Sequence, residues 1–80
     1  MIEFQMPKMD HTSEECTITQ WLINVGDIVV PGQIVMNIET NKAMLDIEVN
    51  FSGKLKEIIV HEGETVPVNI VVALFEEVWT

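Results

Sequence analysis

The chain has 80 residues, 48% of them hydrophobic, and carries 13 acidic residues against four lysines and no arginine, for a net charge of −9. That length holds one domain, spanning 1–80, with no room for a second core, and the apolar fraction belongs to a globular chain and not to a disordered one. Without a basic patch there is nothing to neutralise phosphates and an anionic membrane surface repels the protein, so neither nucleic acid nor membrane is expected as a partner; a docked protein with a basic surface is.

The lack of arginine also argues against a dedicated phosphate or carboxylate clamp. Cys16 is the only cysteine, so no disulfide can staple so small a core; a lone thiol fits a reducing compartment, and Cys16 reads as a small strand residue. No apolar run approaches the roughly 20 residues needed to span a bilayer, and the N-terminus lacks the basic start and apolar stretch of a signal peptide.

In chain order, short segments rich in Val, Ile and Thr, separated by Gly, Pro, Asn or Asp, predict an all-β chain. Strands are expected over residues 2–6, 15–23, 28–30, 34–39, 44–50, 54–60 and 70–76. Ile34, Met36 and Ile38 alternate with Val35, Asn37 and Glu39, and Leu45, Ile47 and Val49 alternate with Met44, Asp46 and Glu48, the period of half-buried strands. No window carries a capped 3.6-residue apolar stripe, so no helix is predicted.

The chain also repeats itself at an offset of 37 residues, Ile18 to Glu39 against Leu55 to Glu76. Val25-Gly26-Asp27 matches Glu62-Gly63-Glu64, Val29 matches Val66, Ile34 and Val35 match Val71 and Val72, and Ile38 matches Phe75. Each half reads as strand, Gly-acid turn, short strand, Pro-containing connection, strand, with Gly26 and Gly63 supplying a backbone angle that side chains disfavour. Pro31 and Pro67 fall near the ends of short strands, where a missing N–H is tolerated. Two such units, neither able to bury its face alone, predict a flattened barrel or two-sheet sandwich with quasi-two-fold symmetry.

Between the fourth and fifth expected strands, Asn41 and Lys42 are the central residues of a short polar turn, so Lys42 stands at a hairpin tip. Lys8 follows the first strand, and Lys54 and Lys56 lie on a strand of the second half. A tip suits an acylated lysine: a modifying enzyme reaches the amine without unfolding its substrate, and a tight turn presents one shape at little ordering cost. Acylation also removes the lysine charge. Taken from the turn alone, Lys42 is an ordinary solvated lysine, with Glu39 or Asp46 near enough for an exposed ion pair worth about 0–1 kcal/mol. Periodicity does not overturn that reading.

A wider pattern does. Met6-Pro7-Lys8-Met9, Thr17-Ile18 with Trp21-Leu22, Val25-Gly26-Asp27-Ile28-Val29, Ile38-Glu39-Thr40-Asn41-Lys42-Ala43, Ser52-Gly53-Lys54-Leu55 and Glu62-Gly63-Glu64-Thr65-Val66 follow in an order and spacing that resembles the lipoyl domains of the acyltransferase components of 2-oxo acid dehydrogenase complexes, over nearly the whole chain. The resemblance implies a barrel-sandwich hybrid of two four-stranded sheets, with lipoate in amide linkage to Lys42 and Glu39, Thr40, Asn41 and Ala43 flanking it. It implies a carrier and not a catalyst: a swinging arm that a thiamine-diphosphate-dependent dehydrogenase acylates reductively, that delivers the acyl group to coenzyme A at the acyltransferase core, and that dihydrolipoamide dehydrogenase reoxidises. Such a tether raises the effective concentration of the dithiolane at each site. A lipoate ligase or lipoyl transferase would attach it, in the cytoplasm or, in a eukaryote, the mitochondrial matrix. The Met6-Pro7-Lys8-Met9 opening and Ala43 lean toward pyruvate or acetoin complexes.

Two departures from the family stand out. Asn41 occupies a position that is usually Asp, which removes one charge beside the arm and is expected to retune recognition by the dehydrogenase more than lipoylation. The loop from Asp10 to Cys16 lacks the family's usual glycines, which bears on partner choice. Biotin carriers share the fold but set their lysine between two methionines; here the neighbours are Asn41 and Ala43, and Met44 comes one position late. The glycine-cleavage carrier is longer. An unmodified assembly module, as in membrane-fusion adaptors, would leave Lys42 merely exposed. An enzyme in its own right is the least expected option. His11 and His61 are far apart, His61 aligns with Asn24 in the repeat, and no nucleophile or metal-ligand spacing occurs. Met6, Met9, Met36 and Met44 read as core filler or loop residues, and Trp21 and Trp79 as packing residues.

Overall fold

The computed structural model describes residues 1–7 and 15–78. Eight strands follow one another: β1 (Ile2–Gln5), β2 (Glu15–Trp21), β3 (Ile28–Val29), β4 (Ile34–Glu39), β5 (Met44–Glu48), β6 (Gly53–Ile58), β7 (Thr65–Pro67) and β8 (Val71–Glu77). They form two antiparallel four-stranded sheets, ordered β1-β8-β6-β3 and β5-β4-β2-β7. The all-β sandwich expected from the sequence is therefore present, and no helix among the described residues is long and apolar enough to cross a membrane. Every expected strand occurs with its ends within two residues of the expected ones. The short strand β7 was implied by the repeat at Val66 but has no alternation of its own, being three residues long and ending in Pro67 at a sheet edge. Lys8, Met9, the loop residues 10–14 with His11, and Trp79 lie outside the described residues.

The repeat is a physical two-fold relation. Gly26 N–H donates to Leu55 O at 2.8 Å and Gly63 N–H to Ile18 O at 2.7 Å, while Leu55 N–H donates to Asp27 O and Ile18 N–H to Glu64 O. Each bond maps onto its partner by the 37-residue offset, with the halves exchanged. The Gly-acid turns match as well. The Asp27 carboxylate accepts from Asn24 N–H at 2.8 Å, and the Glu64 carboxylate from His61 N–H at 2.7 Å. Gly26 and Gly63 take φ of 99° and 88°, the left-handed region that side chains disfavour.

The core lies between the sheets. Ile18, Val35, Met36, Ile38, Leu55, Val72 and Phe75 are fully buried, as are Met6 and, in β2, Cys16. Phe4, Phe51 and Phe75 meet edge-to-face with ring centroids 5.1–6.2 Å apart, a geometry favoured by the ring quadrupole. Trp21 packs against the core with its indole N–H donating to Val60 O at 3.0 Å.

One expectation fails in detail. The alternation of β4 would turn Ile34 inward and Val35 outward, yet Val35 is buried and Ile34 exposed. A bulge between Ile34 and Met36 skips Val35 in the ladder with β5, so two successive side chains, Val35 and Met36, face the core. The same irregularity skips Val72 where β8 meets β1, and a second pair of bulges follows Ile18 in β2 and Leu55 in β6. Both pairs obey the two-fold relation.

Candidate functional site

β4 and β5 form the hairpin foreseen around Lys42. Ile38 pairs with Leu45, Asn37 with Asp46, and Glu39 with Met44, leaving Thr40, Asn41, Lys42 and Ala43 as the tip. Register is held from below: Ile38 and Ile47 turn into the core, so a one-residue slip would expose them. On the outer side, Asn37 donates its amide to the Asp46 carboxylate across the ladder.

At the tip itself Thr40 N–H donates to Ala43 O at 2.9 Å. The Thr40 hydroxyl oxygen accepts from both Lys42 N–H and Ala43 N–H, each at 3.2 Å, and the same hydroxyl lies 3.2 Å from Ala43 O as a donor. Among the described residues Asn69 is the only non-glycine with positive φ, so the tip closes without the left-handed conformations that Asn readily adopts. Sequence reasoning placed Thr40 beside the lysine but missed its work in the turn. The signal was available, since a Thr opening a polar turn can bond backbone amides two and three residues on.

Asn41, Lys42 and Ala43 are exposed and Thr40 half-buried. Among the described residues the ion pair is Lys56 with Glu76, at 3.3 Å on the outer side of the other sheet; neither Glu39 nor Asp46 pairs with Lys42. Glu15, Glu39, Asp46 and Glu48 are exposed on β2, β4 and β5, while Lys54 and Lys56 lie on β6. Lys42 is thus the lone cation of its sheet among the described residues. Those residues hold no cluster of three or more potential metal ligands, and His61, exposed in its turn, sits where the repeat puts Asn24.

The comparisons with known proteins agree with this geometry. The family model Biotin_lipoyl, described as "Biotin-requiring enzyme", matches residues 2–75. The dihydrolipoyllysine-residue acetyltransferase component of the pyruvate dehydrogenase complex of Zymomonas mobilis is 39% identical, and that of Rickettsia bellii 36%, each over 95% of this chain and 18% of the relative. The dihydrolipoyllysine-residue succinyltransferase component of the 2-oxoglutarate dehydrogenase complex of Staphylococcus saprophyticus is 34% identical over 96% of this chain and 18% of its own length. The chain therefore spans about a fifth of these relatives, and the matched part is the lipoyl carrier and not the catalytic acyltransferase. The solution structure of the lipoyl domain of the Azotobacter vinelandii 2-oxoglutarate dehydrogenase complex superposes with a TM-score of 0.77 at 23% identity, covering 96% of this chain and 98% of that one, and so shares the fold. On the matched family model and this shared architecture, the chain belongs to the biotin/lipoyl family, with its likeness to the lipoyl domains of 2-oxo acid dehydrogenase acyltransferases.

Proposed function

We propose that residues 1–80 form a single lipoyl carrier domain in which Lys42 bears lipoate as an amide. The observation that carries the reading is the exposed, unpaired Lys42 at the tip of a hairpin whose strands are locked into the core. Lys42 fits such a group: its amine stands clear of the sheet, and no carboxylate among the described residues competes for it. When attached, lipoate supplies a dithiolane that accepts an acyl group with two reducing equivalents and gives them up in turn.

This chain's own residues do the presenting. Thr40 closes the turn, Glu39 and Met44 end the ladder beneath it, and Asn41 and Ala43 flank the lysine without bulk. The parent complex is a 2-oxo acid dehydrogenase, of pyruvate or acetoin type in the finer reading. Its partners are the thiamine-diphosphate-dependent dehydrogenase, the acyltransferase core and dihydrolipoamide dehydrogenase, with a lipoate ligase or lipoyl transferase charging Lys42. The acidic outer side of the hairpin sheet favours encounter with basic partner surfaces. The compartment is the cytoplasm, or the mitochondrial matrix in a eukaryote.

Intact mass and peptide mapping after co-expression with a lipoate ligase and lipoic acid test the reading. One lipoyl group on Lys42, absent from Lys42→Ala, is expected. A folded protein that gains nothing overturns it in favour of an assembly module, and a biotin adduct from a parallel biotin-ligase experiment overturns it in favour of a biotin carrier.

A further inference from the structure

The tip that presents Lys42 has an unusual construction. No glycine and no left-handed residue lies between Glu39 and Met44, so backbone permissiveness does not shape the turn. Asn41, Lys42 and Ala43 are exposed and Thr40 is half-buried. A single hydroxyl gathers two of the tip's amides. Thr40 Oγ1 lies 3.2 Å from the amide nitrogens of both Lys42 and Ala43, and Thr40 N–H bonds Ala43 O at 2.9 Å. Two successive amides converge on one oxygen, and one of them belongs to the lysine itself.

We propose that Thr40 is a positioning residue for modification of Lys42: its hydroxyl fixes the orientation of the Lys42 backbone, so that the modifying enzyme meets the amine at one height and direction. The proposal rests on the lipoyl-carrier reading. Its physical basis is preorganisation. A lysine on a loosened turn can still be acylated, but each encounter must first order the turn, and that ordering subtracts from productive binding. The expected signature is a higher KM for the domain with kcat little changed.

Three variants separate this role from plain stability. Thr40→Val keeps the β-branched shape that suits the end of β4 and removes only the hydroxyl. Thr40→Ala does the same with less bulk and serves if valine disturbs the fold. Thr40→Ser restores the oxygen. Each is lipoylated by a purified lipoate ligase with ATP and lipoate, the product is followed by mass, and amide hydrogen exchange is measured at Lys42 and Ala43 alongside the thermal midpoint.

For Thr40→Val and Thr40→Ala, kcat/KM for the domain should fall about five- to tenfold, as expected for losing one or two exposed hydrogen bonds. The drop should lie in KM, with faster exchange at Lys42 and Ala43 alone and with recovery in Thr40→Ser. Wild-type kcat/KM in a folded Thr40→Val whose two amides exchange faster overturns the positioning role and leaves the carrier reading intact. Failure of the wild-type protein itself to accept lipoate overturns both.

Discussion

At Gly63 the chain turns with φ of 88°, and a Cβ built there would meet nothing within 4 Å. The glycine is needed for its backbone and not for its small size. Gly63→Ala should therefore destabilise the domain by about 1–2 kcal/mol, the expense of a left-handed L-residue, with no packing penalty added. In a domain of this size that lowers the midpoint of thermal unfolding by roughly 4–8 °C per kcal/mol. Gly26→Ala should match it, because the two-fold relation gives both turns the same bonds. An unchanged midpoint in either variant would mean that the turn relaxes. At this scale the sequence was most legible where chemistry is restrictive. A glycine before an acid between two strands allows few readings, whereas Lys42 taken alone read as an ordinary turn lysine and stood out only through the wider pattern. Thr40 was legible only as a neighbour, because a hydroxyl that could face water equally well declares its bond only once the turn is built.

Elements were legible through periodicity, and they failed where periodicity is interrupted. In β5, Leu45 is half-buried and Ile47 buried while Met44, Asp46 and Glu48 are exposed, as the period of two requires. In β4 the bulge after Ile34 resets the phase, and no residue type in 34–36 announces it, since Ile, Val and Met suit either face. The bulge makes a sharp prediction. Val35→Thr, which buries a hydroxyl, should cost about 1–3 kcal/mol, whereas Ile34→Thr should stay within about 1 kcal/mol. Simple alternation predicts the reverse order, so denaturant unfolding of the two variants decides between them. The edge strand β7 escaped direct reading for a related reason. Its three residues are too few to show a period, and only comparison with Ile28 and Val29 in the first half pointed to it.

Across the whole molecule the decisive feature is the relation between the halves. β2 starts beside Glu39 at the Lys42 hairpin, and by Gly26 the chain is bonded to Leu55, which pairs with Phe75, which in turn pairs with Ile2. The body is 39 Å long and 20 Å and 18 Å across, and the paired ends of β1 and β8 hold in one sheet the place that the Lys42 hairpin holds in the other. The two-fold relation equates Glu39 and Met44, which flank the four-residue tip, with Glu76 and Met1, and four residues, 77–80, follow Glu76 in the chain. Joining Thr80 directly to Met1 would consequently close a second hairpin with the loop length of the first. A circular permutant made that way and opened after the exposed Asn50 would carry its halves in exchanged order, 51–80 before 1–50. It should fold cooperatively, keep the far-ultraviolet dichroism of the parent, and gain lipoate at Lys42 as the parent does. An unfolded permutant would show that the halves are equivalent in shape but not in the order in which they must be laid down. A folded one would show that the β4–β5 hairpin and the pairing of β1 with β8 are two versions of a single joint, one of them built around a lysine.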